Sequence, residues 1–150
     1  MTPDITTHQQ PWEAAPNSPW RRPGSCKELA EWSDTYEDFG LNTKDFLHAV
    51  HFARRAGRDL ARLFADEPPR LAGRFPEGAI CDAFLAALAD YFCRQARIPT
   101  PHWAEDESRV LEIPWFSPPE RAFRATLLRD TPAPFKERNL FTYENALTVA

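Results

Sequence analysis

Glycine is scarce in this chain, with 5 in 150 residues. A phosphate-cradling loop needs clustered glycines so that backbone amides can approach the ligand, which excludes nucleotide sites of that kind. Cysteine is sparser still: Cys26, Cys81 and Cys93 form an odd set with no CxxC pair. Cys81 and Cys93 share one helical stretch and stand ~18 Å apart at the helical rise, too far to bridge. This usage predicts reduced thiols and a cytoplasmic setting. No apolar run approaches the ~18 residues of a membrane-spanning helix. The opening MTPDITTHQQPWEAAP has neither a basic region nor an apolar stretch, so no secretory signal is expected. A net charge of -4 and a pI near 5.6 exclude a protein built mainly to coat nucleic acid. Asp38-Phe39-Gly40 copies a kinase tripeptide, but the Gly-rich loop, strand lysine and catalytic loop that give it meaning are missing.

What the chain does have is proline, 15 in all and about twice the usual share. That predicts short elements with sharp breaks. Residues 1–24 hold Pro3, Pro11, Pro16, Pro19 and Pro23 and almost no aliphatic residues, and read as a proline-rich arm. Trp12 and Trp20 in that arm need a surface to cover. Residues 25–150 read as a single helical domain, a size that can bury a core.

Ser25-Cys26-Lys27-Glu28 is a capping box opening a helix whose stripe is Leu29, Trp32, Tyr36 and Phe39, with Gly40 as its stop. A second helix starts at Asn42 or Thr43. Its seam, Phe46, Val50, Ala53, Gly57, Leu60 and Phe64, predicts one long helix to about Ala65, with a break at Gly57 as the alternative. Residues 76–97 form the strongest helix, apolar over most of its circumference and therefore central and buried. After Pro99 the chain shortens its stride. Thr100-Pro101 leads a turn carrying Trp103, and Val110 to Phe116 is an irregular apolar segment expected to lie over the core. Ser117-Pro118-Pro119-Glu120 reads as a second capping box for a helix to about Arg129, and Thr131-Pro132 starts a short one through Arg138. The remainder to Leu147 is extended. The expectation is an all-α orthogonal helical bundle around a central buried helix, with no internal repeat.

His48 and His51 share one face at i, i+3, but no further ligand pattern supports a metal, and none is expected. Cys81 and Cys93 sit in an apolar helix where nothing lowers a thiol pKa, so His102 makes no nucleophile of either. No catalytic residue and no cofactor are predicted. Arg54, Arg55, Arg58 and Arg62 form a cationic strip, the feature that supports the alternative of a nucleic-acid-binding regulator. An enzyme with an unrecognised site is the second alternative. Trp12, Trp20, Trp103, Trp115 and Phe116 are large aromatics in segments that are not regular helix, a composition that suits a protein interface.

Pro101-His102-Trp103, then Glu112-Ile113-Pro114-Trp115-Phe116, then Thr131-Pro132-Ala133-Pro134-Phe135-Lys136-Glu137-Arg138-Asn139-Leu140-Phe141, with Leu147 after them, form a distinctive series. It resembles a poorly characterised family of small bacterial proteins with a PxW, PWF, TPxxF(R/K)xRNxF pattern. The resemblance covers residues 43–147 and leaves the proline-rich start outside; Lys136 stands where arginine is common. Members are often encoded beside nucleotidyltransferase-like proteins, in an arrangement similar to toxin–antitoxin pairs. The resemblance implies an antitoxin-like protein that binds such a neighbour. Arg138 and Phe141 of the motif join the aromatics as expected partner-binding residues, while Arg138-Asn139 also suits a helix end.

Overall fold

The computed structural model of the chain describes residues 22–148. Trp12 and Trp20, and with them most of the expected arm, lie outside the described residues. Arg22 and Pro23 belong with the folded part: Pro23 is buried, and the Arg22 guanidinium lies 3.9 Å from the Asp45 carboxylate.

The first helix, α1 (Cys26–Glu31), is shorter than its stripe predicts. Its cap forms as expected, with Ser25 Oγ accepting the Glu28 amide, while the Glu28 carboxylate takes the amide of Gly24. The chain then breaks at Ser33-Asp34. Thr35 caps a new helix by accepting the Asp38 amide, and Asp38 answers by accepting the Asp34 amide. This reciprocal Thr-x-x-Asp cap starts α2 (Tyr36–Arg55), which runs straight through Gly40. The expected stop at Gly40 is therefore a correction: two capped helices share one continuous apolar stripe, and the stripe hides the join. The single helix to Ala65 is corrected too. Gly57 sits at φ 69, and the Arg58 amide reaches back to the Ala53 carbonyl at 2.8 Å while the Gly57 amide takes Arg54. That is the left-handed helix stop glycine favours. Leu60 and Phe64 still reach the core, on the separate turn α3 (Ala61–Phe64).

The helix α4 (Gly78–Ala96) is buried around most of its girth, as its composition predicts. Gly78 is required at its start, because a Cβ there would overlap the Leu71 carbonyl. The buried Asp82 carboxylate accepts the amides of Leu71 and Ala72 at 2.7 and 3.0 Å, pinning the loop before the helix. Rings from several elements close on α4: Phe64 stacks on Phe92, Phe46 meets Phe64 edge-on, and Phe135 meets both Phe84 and Tyr91.

Beyond α4 the chain makes tight turns at His102–Glu105 and Glu107–Arg109. Two short strands follow, β1 (Trp115–Ser117) and β2 (Leu140–Thr142), paired in parallel with Phe116 opposite Phe141. The described residues are mostly helical, in keeping with the all-α expectation, with one small two-stranded sheet, β1 and β2, that the helical pattern did not predict. Ser117 ends a strand rather than capping a helix. The next helix, α5 (Arg124–Asp130), begins only after Glu120 and a turn at Arg121–Phe123. α6 (Ala133–Lys136) then leads to Asn139, whose φ of 62 makes the left-handed turn into β2.

Candidate functional site

Short turns cannot bury much on their own, so large side chains must anchor them to the helices. This explains where several expected interface residues go. Trp103 is buried: its Nε1–H donates to the Phe64 carbonyl at 2.8 Å, and the Arg109 guanidinium lies 4.9 Å over its ring. Arg109 is fully enclosed and donates to the carbonyls of Pro68 and Asp82. Arg138 is only 5% exposed. It donates to the Asp90 carboxylate at 2.9 Å and to the carbonyls of Pro134 and Ala104. Asp90 also accepts from Arg94 and Thr100. Burial alone would raise the Asp90 pKa, but the hydrogen bonds from Arg94, Arg138 and Thr100 outweigh it and hold the carboxyl below its ordinary value. Phe141 is buried and stacks on Phe116 at 4.9 Å, and Arg124 covers the Phe116 ring. Trp103, Arg138 and Phe141 are thus corrected from partner-facing residues to internal anchors, each buried and bonded or stacked within the chain.

Trp115 has a different position. It is half-buried and lines two apolar depressions that share it and Ile80. One, of about 520 Å³, lies between α2, α4 and the strands, with Tyr36, Phe39, Leu47 and Phe84 in its walls. The other, of about 510 Å³, runs under Val110, Leu111 and Ile113. Ile113 is 79% exposed, and Val110 and Tyr36 are exposed as well. The segment from Val110 to Phe116 therefore reaches the core through Leu111 and Trp115, stacks Phe116 on Phe141, and turns Val110 and Ile113 outward. The composition singled out Trp115; Ile80, Val110, Ile113 and Tyr36 join it only because the fold brings α2, α4 and β1 together.

The four arginines of the cationic strip do not share one helix. Arg54 donates to Gln95 from the end of α2, and the turn at Gly57 separates it and Arg55 from Arg58 and Arg62. Arg58 lies over the Phe52 ring at 5.0 Å, and Arg58 and Arg62 line a cleft of about 340 Å³ that also contains Glu28 and Asp59.

Burial pushes the thiols up, to about 12 for Cys26 and Cys81 and about 11 for Cys93, so all three stay protonated at neutral pH. Among the described residues no group of three or more His, Cys, Asp or Glu side chains is placed to hold a metal. His51 donates through Nε2 to the Leu147 carbonyl at 2.9 Å and anchors the C-terminal turn. The His48 pKa is lowered by burial and then by the Arg22 cation. No helix among the described residues is long and apolar enough to cross a membrane. No protein-family model matches the chain, and no curated protein and no solved structure shows a significant match to it.

Proposed function

We propose that this chain is a non-enzymatic, cytoplasmic protein-binding module, an antitoxin-like partner of a nucleotidyltransferase-type protein encoded beside it, and that it docks through the apolar face around Trp115. The observation that carries this reading is the pair of open apolar depressions joined at Ile80 and Trp115, with Ile113 exposed at their edge. Open apolar depressions edged by exposed aliphatic side chains are a common mark of an interface. The protonated, buried thiols fit the same reading, since they offer no nucleophile. The orthogonal packing of the helices around α4 belongs to this proposal as the scaffold that holds the face rigid.

The test is co-expression with the encoded neighbour, followed by size-exclusion chromatography. The pair should co-elute. Ile113→Ser with Val110→Ser should break the complex while the thermal midpoint stays unchanged, because both side chains are exposed. Failure to co-elute refutes the antitoxin-like reading; a complex that survives the double substitution refutes the face.

A further inference from the structure

The docking reading leaves the occupant of the face open, and the charges around it narrow the choice. Glu37 and Glu112 line the two depressions, with Lys44 the lone cation among their linings. Two carboxylates against one ammonium leave the rim of the apolar face net acidic.

That rim argues against two occupants. A second copy of this chain would set acidic rim on acidic rim, which is unfavourable as the groups desolvate. The chain's own residues 1–21 carry Asp4 and Glu13 against Arg21 alone, so they bring no positive surplus. A partner strand added to the sheet is disfavoured for a separate reason. In the parallel pairing the Trp115 amide donates to the Asn139 carbonyl, so the backbone of Trp115 and Ser117 faces β2, and that of residues 114, 116 and 118 faces outward. Two of those three are Pro114 and Pro118, which have no N–H. The free edge of β1 therefore offers the single donor of Phe116, too few to template a strand, and the β2 residues are all buried. What remains is docking by side chains into a groove walled by α2 and α4.

Resting on the protein-binding reading above, we infer that the face around Ile80 and Trp115 receives an amphipathic helix of the partner, its apolar side chains at i, i+3, i+4 and i+7 entering the groove and its flanking lysines or arginines meeting Glu37 and Glu112. The apolar floor supplies affinity, and the rim sets orientation and excludes acidic competitors.

The full chain is titrated with three fluorescent helical peptides of about 16 residues, long enough to form a helix. The first carries a leucine stripe flanked by lysines, the second the same stripe flanked by glutamates, and the third the lysines with serine in place of leucine. The first should bind, the second roughly tenfold more weakly or worse, and the third not at all. Glu37→Lys with Glu112→Lys should reverse the order of the first two, and Ile113→Ser should weaken both. Equal binding of the first two, binding of the third as tight as the first, or no binding by any peptide overturns the inference. If the inference fails while Ile113→Ser with Val110→Ser still breaks the neighbour's complex, only the helix chemistry is lost. If the first peptide binds as expected while the neighbour never co-elutes, the antitoxin-like reading alone is lost.

Discussion

Removing the Asp90 carboxylate tests how the C-terminal half is held. Asp90 is 4% exposed and neutralises Arg138, whose guanidinium is almost as deeply enclosed. Truncation to alanine leaves that cation inside the protein with only the carbonyls of Pro134 and Ala104. Breaking a buried pair from one side costs about 3–5 kcal/mol, and the surviving carbonyl bonds favour the lower part of that range. The bond from Thr100 adds about 1 kcal/mol. Arg94 adds little, since it is half exposed and keeps Glu137 at 2.8 Å. The total of about 4–5 kcal/mol, at about 2–4 °C per kcal/mol for a chain of this size, means that Asp90→Ala should lower the thermal midpoint by about 8–20 °C. Thermal melts followed by circular dichroism, with urea unfolding for the free energy, read the loss. Arg138→Met placed in the Asp90→Leu background should recover most of it, because an apolar pair of similar volume replaces a buried ion pair at little net cost. A loss below about 1 kcal/mol for Asp90→Ala, or no recovery in the double variant, refutes the assignment of Arg138 as a buried cation held by Asp90. The pH dependence has a definite sign. The folded Asp90 carboxyl titrates below its unfolded value of about 3.9, so its contribution is complete above that value and is lost as pH falls through the folded pKa. The wild-type chain should lose stability in acid over that window, and Asp90→Asn should lack this part of the decline.

Two glycines in the helical half should respond to alanine with opposite signs. Gly57→Ala, at φ 69, should destabilise by about 1 kcal/mol, whereas Gly40→Ala should stabilise by about 0.5–1 kcal/mol, because Gly40 is inside α2 with open space around its Cβ position; urea midpoints distinguish them. Gly78→Ala should cost about 3 kcal/mol or prevent folding, since the added methyl overlaps the Leu71 carbonyl, and the yield of soluble protein with its melting curve checks this. A thiol-specific reagent at neutral pH should leave Cys26, Cys81 and Cys93 unmodified in the native protein and label all three in denaturant. Trp103→Phe should lose about 1–2 kcal/mol by orphaning the Phe64 carbonyl, read again by urea unfolding.

Local rules are legible in the sequence because they act between residues a few positions apart. The Ser25 cap, the burial of α4, the turn before Trp103 and the left-handed Asn139 follow from side chains and backbone preferences within one or two turns. Thr35-Tyr36-Glu37-Asp38 was equally readable as a cap, and the even stripe from Leu29 to Phe39 masked it. The seam through Gly57 misled for a related reason: periodicity records which residues reach the core, and Leu60 and Phe64 reach it from a separate turn.

The amino-acid sequence alone determined a mostly helical chain with one all-round apolar helix and proline-set breaks, because these depend on composition and short-range geometry. Tertiary structure alone decided that Trp103, Arg138 and Phe141 turn inward, that Asp90 and Arg138 meet across 48 residues, and that Ile80, Ile113 and Trp115 gather under an acidic rim. Whether an aromatic or an arginine faces water or the core depends on which distant carbonyl or carboxylate the fold delivers to it, and no local pattern carries that information.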